Sequence, residues 1–422
     1  MKVLFIAALS PYPAVSGGQR LTRDEIEVYA RFATVDLLSY YEQTDETAVP
    51  LMKGHLANIC RKMDFVPSAT KFGKNKAQQL ALYARSFLGA VPFRVQKFAI
   101  PTMQELISRY IAAEKYDIVH FEHLSSTAFI DTARQSGAQI IVTEQNVEWE
   151  IFARYEKNAK NPLLRALHRR EAAKLRQFEN AALNKADLIV ALSDRDKQIF
   201  QDDGVKPPIY VFQRPTELSD QPITSFDQAR PEVATLGALS SPAREHGTLW
   251  MHEHVWPLVR KQLPEAKWHI IGMDPPDSIR NLHNGDDIHV HGFIEDLNAK
   301  LIHCRVVAVP LLIGGGIRIK ILDMLSLGMP CVSTTVGAQG LENDGIVISD
   351  DPQRFAEGIV QCLSSPERWN EMSSAGRRFI LKNYSPEAVS QAYESFLNQT
   401  LGSSATTAPM SSDASDPDAE TA

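Results

Sequence analysis

The chain has 422 residues, long enough for two ordinary domains with separate cores. Hydrophobic residues make up 44% and charged residues 23%, as in globular proteins, and the formal charge of -7 argues against nucleic-acid binding through bulk charge. The four cysteines lie far apart without a Cys-x-x-Cys pair, which argues against a disulfide framework or structural zinc and favours a reducing cytoplasm.

The first residues of the chain combine one lysine with a short apolar run over residues 3–9. A signal peptide is the alternative interpretation, but this run is at the short limit for one. We interpret the run as a buried first strand that ends in a loop rich in proline and glycine. No segment approaches the ~20 apolar residues of a membrane span.

Short apolar runs alternate with helical periods along the rest of the chain. The runs are rich in Ile and Val, and a long helical period over residues 163–185 separates two of them. This alternation predicts parallel sheets covered by helices on both faces. The predicted strands are residues 116–123, 138–146, 186–193 and 208–213, and then 232–239, 266–273, 287–293, 305–312, 330–335 and 345–350.

A polar segment with several prolines, residues 214–231, interrupts the series and predicts a linker. The sequence therefore predicts two doubly wound α/β domains, residues 1–213 and 232–385. Because ligands of such sheets bind at the carboxyl ends of the strands, we expect a cleft between the domains. A helix over residues 386–402 is expected to cross back to the first domain. Residues 403–422 lack aromatic and basic side chains, which predicts a disordered acidic tail.

Three consecutive glycines, Gly314, Gly315 and Gly316, follow a predicted strand and precede Arg318 and Lys320. The apolar helical period that follows ends at a Gly-x-Pro sequence, so both cations fall in a first helical turn. Cations are disfavoured there because that helix end carries partial positive charge. An anion in front of the turn would resolve the conflict, and glycines let the backbone approach it closely. The pattern predicts a phosphate-bearing ligand; a glycine-rich turn with two solvated cations is the alternative.

Asp323 lies three residues beyond Lys320 on the same helical face. Two interpretations stay open at this point. The carboxylate pairs with Lys320, which would contribute about a few tenths of a kcal/mol, or it accepts hydrogen bonds from the hydroxyl groups of a sugar.

The second half of the chain resembles the nucleotide-sugar domain of the retaining GT-B glycosyltransferases. This family has two facing Rossmann-like domains and includes many bacterial enzymes of polysaccharide and glycolipid synthesis. The resemblance covers about residues 1–400, and the GGG-x-R-x-K motif is typical of one branch. The matching segments are residues 237–259, 266–276, 289–301 and 306–341, and in the first half residues 10–20, 116–123, 143–155 and 178–196.

The resemblance implies sugar transfer from a nucleotide-diphosphate sugar to a glycolipid or polysaccharide, with retention of anomeric configuration and without a metal cofactor. It implies that Arg318 and Lys320 bind the diphosphate and stabilise its charge during transfer, and that Asp323 holds the ribose hydroxyls. The other implied donor-side residues are Gly17, Gly18, Gly314, Gly315, Gly316, Thr335, Gly340 and Leu341. The implied acceptor-side residues are Glu122, Glu144, Gln145 and Asn146.

The chain departs from the family pattern at several positions. The first Glu of a common Glu-x7-Glu pair is Gly315, and the second is Asp323, which is shorter by one methylene. The usual acceptor-side histidine is Gln145, which carries no titratable proton, so a role there must be hydrogen bonding. Further departures are Gln213-Arg214-Pro215 before the linker, and Arg244 and His246 early in the second domain.

These departures leave alternative functions open. Gln145 and Gly315 favour a catalytically silent protein that binds sugar nucleotides. A nucleotide-sugar epimerase on the GT-B fold is the nearest enzymatic alternative. An NAD-dependent oxidoreductase would need G-x-G-x-x-G after the first strand, and the sequence there does not supply it.

Two basic stretches, residues 71–97 and 154–176, suit an anionic membrane face and lipid-linked acceptors. They predict a cytoplasmic protein with a peripheral membrane contact; two solvated helix faces are the alternative. The HEH sequence at residues 252–254 and the HVH sequence at residues 289–291 are interpreted as solvated or edge-strand histidines rather than metal ligands.

Overall fold

The structure, a computed structural model, divides into two compact units. Unit 1 contains Met1–Val190, Phe200–Tyr210 and the segment from Ser390 onward, and unit 2 contains Ala191–Ile199 and Val211–Val389. The described residues are 1–14, 17–42, 48–68, 86, 89, 91–158, 161–218, 221–237, 239–312 and 319–402. The predicted tail, residues 403–422, lies outside them.

The first sheet has seven strands in the order β3-β2-β1-β4-β5-β6-β7. These are β1 (Lys2–Ala7), β2 (Thr34–Glu42), β3 (Cys60–Ser68), β4 (Ile118–Glu122), β5 (Gln139–Glu144), β6 (Leu188–Ala191) and β7 (Ile209–Val211). The pairs from β3 across to β5 are parallel. Strands β1, β4 and β5 are buried almost throughout, which explains why apolar residues predominate in them.

The helices of the first half precede or follow these strands. They are α1 (Gly17–Ala30), α2 (Ala48–Leu56), α3 (Phe93–Gln96), α4 (Pro101–Ala113), the 3-10 helix Leu124–Phe129, α5 (Ile130–Arg134), α6 (Glu148–Asn158), α7 (Pro162–Leu183) and α8 (Asp194–Asp202). Helix α7 begins at Pro162, whose missing N–H costs nothing in the first turn, and Asn161 caps it by accepting from the Leu163 N–H at 2.8 Å. Helices α6 and α7 pack against each other.

The second sheet has six strands in the order β10-β9-β8-β11-β12-β13, and all five pairs are parallel. The strands are β8 (Arg230–Leu236), β9 (Lys267–Ile271), β10 (Ile288–Gly292), β11 (Cys304–Val309), β12 (Cys331–Ser333) and β13 (Ile346–Ile348). The helices are α9 (Pro242–Trp250), the π-helical turn Met251–Val255, α10 (Trp256–Gln262), α11 (Asp277–Arg280), α12 (Leu297–Leu301), α13 (Ile319–Ser326), α14 (Thr335–Ala338), α15 (Pro352–Ser364), α16 (Pro366–Asn383) and α17 (Pro386–Gly402).

Unit 2 has a separate apolar core on each face of its sheet. Val306 packs with Trp268 on one face, whereas its neighbour Val307 packs with Leu325 and Leu341 on the other. Successive strand residues point to opposite faces, so a strand covered on both sides needs apolar side chains at consecutive positions. All four cysteines of the chain are buried and free.

Each unit places its first strand beside the strand that reverses the order of the sheet: β1 beside β4, and β8 beside β11. In open parallel sheets, ligands bind outside the carboxyl ends of the strands at this point of reversal. The candidate sites are therefore expected after β1 and β4 in unit 1 and after β8 and β11 in unit 2.

Each of the eleven strands predicted from apolar runs overlaps an observed strand. β8 begins at Arg230, inside the segment predicted as a linker, because the Arg230 N–H donates to the His303 carbonyl at 2.9 Å and extends the sheet. The predicted edge-strand histidines His289 and His291 lie on β10, an edge strand. His252 and His254 lie in the π-helical turn between α9 and α10.

Candidate active site

In unit 2, two helices begin beyond neighbouring strands at the point of reversal, and each has a cation in its first turn. Helix α9 follows β8 and carries Arg244; helix α13 follows β11 and carries Lys320. The Arg244 Nη1 donates to the Leu236 carbonyl at 2.9 Å, which holds the guanidinium over the end of β8. Both cations face the unfavourable electrostatics of a helix N-terminus.

The charges of Arg244 and Lys320 act on each other. Lys320 is exposed overall, yet partial desolvation of its ammonium lowers its pKa, and the positive charge of Arg244 lowers it further. Asp323, half-buried one turn later, opposes this by raising the pKa of Lys320. A bound anion would offset this repulsion, because both cations would then face a negative charge.

Gly247 lets α9 approach the strand ends closely. A Cβ at this position would lie 1.9 Å from the Pro310 carbonyl oxygen, which follows β11 directly. Any side chain there would therefore displace the helix. The close contact ties the helix that carries Arg244 to the start of the loop that leads to Lys320.

The other donor-side residues are placed differently from one another. Arg318 and the glycines Gly314, Gly315 and Gly316 lie outside the described residues. Thr335 is exposed at the start of α14, and its N–H donates to the Asp350 carboxylate at 2.8 Å. Gly340 is exposed with φ of 77°, a conformation that favours glycine. Leu341 is fully buried, and its side chain belongs to the core.

In unit 1 the predicted residues Gly17, Gly18, Glu122 and Gln145 come together. Helix α1 begins at Gly17, after the loop that follows β1. The Gln145 Nε2 donates to the Glu122 carboxylate and to the Gly18 carbonyl, the latter at 3.3 Å. A Cβ on Gly18 would lie 2.6 Å from the Gln145 Oε1. Gln145 thus uses hydrogen bonds to join the ends of β4 and β5 to the start of α1. Asn146, the next residue, is exposed.

Glu122 and Glu144 end adjacent strands and are fully buried. Burial raises the pKa of Glu122. Burial raises the pKa of Glu144 well above its ordinary value, and the negative charges of Glu179 and Glu148 raise it further. A carboxyl group in this environment is favoured in its neutral, protonated form.

Glu148 behaves differently because an arginine and a histidine reach it. The Arg94 Nη1 lies 2.7 Å from its Oε2, and the His123 Nε2 lies 3.2 Å from its Oε1. Burial alone would raise the pKa of Glu148, but His123 and Arg94 outweigh it, and the pKa is lowered. His123 has φ of 74°, an uncommon conformation for a residue with a side chain. An ionised Glu148 therefore holds both His123 and Arg94 in place.

A pocket of about 570 Å³ lies beside these groups at the carboxyl ends of β1 and β4. This volume is typical of sites for small molecules. Arg94, Lys97 and His123 contribute polar groups to it, and no Asp or Glu lines it in the part of the chain that the structure describes. The aromatic wall residues are Tyr40, Tyr41, Phe93, Phe98, Phe152 and Tyr155. None of the predicted acceptor-side residues lines this pocket; these are Glu122, Glu144, Gln145 and Asn146.

Sequence reasoning did not assign a role to Arg244, His123 or Arg94. A signal existed for two of them: Arg244 repeats the pattern of a cation in a first helical turn, and His123 directly follows the end of β4. Within the described ranges, no three His, Cys, Asp or Glu side chains are arranged to hold a metal ion, and no helix is long and apolar enough to cross a bilayer.

Two family models match the chain, one in each half. The model described as Glycosyltransferase Family 4 matches residues 72–220, and the model described as Glycosyl transferases group 1 matches residues 230–365. The chain carries two glycosyltransferase domains. These matches support glycosyltransferase activity and do not favour the binding-protein or epimerase alternatives.

The chain is also similar to individual proteins over more than nine-tenths of its length. An uncharacterized 44.6 kDa protein in the cps region of Klebsiella pneumoniae is 21% identical over 406 residues, 92% of this chain and 97% of that protein. Sucrose-phosphate synthase from Thermosynechococcus elongatus aligns with a TM-score of 0.60 and 14% identity, over 96% of this chain and 100% of its own. Anabaena HepE in complex with UDP aligns with a TM-score of 0.59 and 15% identity, over 94% and 100%. The fold is the GT-B fold predicted from the sequence.

Proposed function

We propose that the chain is a retaining glycosyltransferase with a nucleoside-diphosphate sugar as donor and a glycolipid or polysaccharide as acceptor. The observation that carries the proposal is the pair of interacting cations, Arg244 and Lys320, at two helix starts beyond β8 and β11. Two cations at two helix starts on one sheet edge suit a diphosphate. The UDP bound to HepE, a protein of the same fold, supports a nucleoside diphosphate as the ligand.

The cations would act mainly on the leaving group. Negative charge grows on the diphosphate as the bond to the sugar breaks, and fixed donors at that position lower the barrier. Lys320 and Arg244 provide such charges, and the sequence pattern adds Arg318 to them. By analogy with one donor of an oxyanion hole, loss of either cation should raise the barrier by about 2–4 kcal/mol.

The proposal of retention is supported by the family resemblance and agrees with the buried carboxyl groups of unit 1. In such a transfer the departing diphosphate takes the proton of the acceptor on the same face of the sugar. No ionised side chain is then needed as a base, and the raised pKa values of Glu122 and Glu144 agree with that. The protein would position the acceptor instead.

The acceptor is proposed to occupy the aromatic pocket of unit 1. Aromatic faces pack against the apolar faces of sugar rings, and Arg94 is a hydrogen-bond donor at its wall. His123 lies beside it, with its ring nitrogens facing Ser125 and Glu148. Glu148, which holds both Arg94 and His123, would act as a positioning residue.

A thermal-shift screen of nucleoside diphosphates and their sugar conjugates tests the donor site. Saturation at ~100 times the dissociation constant stabilises the folded protein by about 2.7 kcal/mol, which is readily detected. We expect Arg244→Ala and Lys320→Ala to lose this shift, and the exposed Lys382→Ala on α16 to keep it. Full shifts in both site variants would refute the proposed diphosphate contact.

Product analysis then tests the reaction. With a labelled donor and lipid-linked or polymeric saccharide acceptors, NMR of the product should show the anomeric configuration of the donor. Inverted product would overturn retention. Binding without turnover would favour the silent binding protein, and conversion of the donor sugar without acceptor would favour the epimerase.

A further inference from the structure

The start of helix α7 exposes three leucines, which we call the leucine tip. Leu163 is 76% exposed, Leu164 48% and Leu167 38%. Together with Tyr155 on α6, 53% exposed, they account for four of the nine large hydrophobic side chains that the described residues leave exposed. Surface leucines are ordinarily scattered singly, and a contiguous exposed group marks an interaction surface.

The leucine tip lies in strongly basic surroundings, although the whole chain carries a net charge of -7. Arg165, Arg169 and Arg170 are exposed on the first turns of α7. Residues 154–176 contain eight Lys and Arg residues against two Glu. Of these two, Glu156 pairs with Arg169 at 2.7 Å, and Glu171 accepts a hydrogen bond from the Phe93 N–H at 2.7 Å. The local charge is therefore complementary to an anionic surface.

The aromatic pocket of unit 1 adjoins the leucine tip. Tyr155 and Phe152 of α6 line the pocket. The ring of His168, one residue after Leu167, lies 5.7 Å from the Tyr155 ring and 6.1 Å from the Phe152 ring between centroids. One side of the pocket wall is thus held against the same helix turns that expose the leucines.

We propose that the leucine tip docks unit 1 on an anionic lipid bilayer, with the leucines at the acyl boundary and the arginines at the lipid phosphates. A short apolar group beside several arginines is the composition that binds in the plane of a bilayer interface. A protein groove would satisfy the leucines but would leave the arginines without phosphates. The docking does not depend on transferase activity; its role in bringing a lipid-linked acceptor to the pocket rests on the proposed function.

Flotation of the full chain with vesicles tests the docking. We expect binding to vesicles of equimolar phosphatidylcholine and phosphatidylglycerol, and little binding to phosphatidylcholine alone. Leu163→Ser, Leu164→Ser and Leu167→Ser combined should lower the partition coefficient at least about tenfold. Each of Arg165→Gln and Arg170→Gln should lower it about fivefold and reduce its dependence on salt.

Matched controls separate the tip from general surface effects. Leu381→Ser and Phe293→Ser remove apolar side chains that are 57% and 71% exposed elsewhere, and Arg354→Gln removes an exposed arginine on α15; all three should bind vesicles as the wild type does. An unchanged far-UV circular dichroism spectrum and melting temperature would show that the leucine variant is folded. The donor site can therefore fail its own test while the docking holds, and the reverse.

Two results would overturn the docking. One is a leucine variant that binds anionic vesicles as tightly as the wild type does. The other is wild-type protein that does not bind anionic vesicles but elutes as an oligomer in size exclusion, whereas the leucine variant elutes as a monomer. That second result would assign the leucine tip to a second copy of the chain.

Discussion

Arg244 and Lys320 repel each other in the ligand-free protein, and partial desolvation adds to the cost of the ammonium of Lys320. A diphosphate bound at the proposed donor site would offset this cost. We expect Lys320→Met to raise the melting temperature of the ligand-free protein slightly while abolishing the shift with UDP. Differential scanning fluorimetry with and without UDP measures both effects. A variant that is less stable without ligand would contradict mutual repulsion.

Glu144 gives a prediction about pH. Its pKa is raised well above the ordinary value, so the folded protein keeps a proton that the unfolded chain releases at about pH 4.3. The contribution of Glu144 to the free energy of unfolding is greatest below that pH, and it falls as the pH rises towards the pKa of the folded state. Glu144→Gln removes the dependence. Urea unfolding should therefore show an advantage of the variant over the wild type that grows as the pH rises above about 4.3, the ordinary pKa of a glutamate. A constant difference would mean that Glu144 is ionised throughout.

At the residue scale, the sequence groups some side chains that the structure brings together and misses others. The family resemblance groups Glu122 with Gln145, and the two are hydrogen-bonded because parallel strands end at one edge. Their role towards the acceptor stays a prediction. The partners His123, Glu148 and Arg94 could not be predicted, since they come from three separate elements and depend on tertiary packing. Leu341 shows the converse: its segment belongs near the proposed donor site, but its own side chain completes the core.

At the scale of elements, a buried chain of hydrogen bonds joins the last helix to the first sheet. The hydroxyl of Thr143 donates to Glu25 at 2.7 Å, so His120 must donate to Thr143 through Nε2, at 2.9 Å. The His120 Nδ1 then accepts from the Tyr29 hydroxyl at 2.9 Å, and Tyr29 accepts from Tyr393 of α17 at 3.0 Å. Burial lowers the pKa of His120 to about 3, in agreement with one neutral tautomer.

The direction of these hydrogen bonds predicts which of two substitutions lowers the free energy of unfolding more. Tyr29→Phe leaves the buried Nδ1 of His120 without a donor, which should cost about 1–3 kcal/mol. Tyr393→Phe removes only the terminal donor, which should cost about 0.5–1.5 kcal/mol. Chemical denaturation of both variants gives the comparison. A larger loss for Tyr393→Phe would mean that the hydrogen bonds run in the opposite direction.

The strands illustrate what patterning does and does not reveal. Central strands such as β4 and β5 are short runs dominated by apolar residues, and that feature predicts them. β2 and β3 were not predicted. β2 contains a buried Asp36 that Arg61 of β3 neutralises, and β3 is an edge strand that tolerates charges and Pro67. The pairing of β2 with β3 depends on tertiary contacts between their polar side chains, which cannot be read from the sequence of either strand alone.

At the scale of the whole molecule, two truncations of the C-terminus should behave oppositely. Ending the chain after Val389 removes Tyr393 and Leu397, both buried against unit 1, and should destabilise that unit. Removing only residues 403–422 deletes a segment without aromatic or basic side chains and should leave melting and activity unchanged. Differential scanning calorimetry of both truncations decides this. A large loss from the shorter deletion would mean that those residues dock on the body of the protein.

The assignment of the last helix to unit 1 also constrains the order of events on the ribosome. All residues of unit 2 have been synthesised once Val389 has emerged. Unit 1 is still incomplete at that stage, although most of it is synthesised first, because it includes the segment from Ser390 onward. Domains usually complete themselves in the order of synthesis. Here the amino-terminal domain is completed only by residues made after unit 2, so partially made chains that lack Tyr393 should expose the Tyr29 side of its sheet to chaperones.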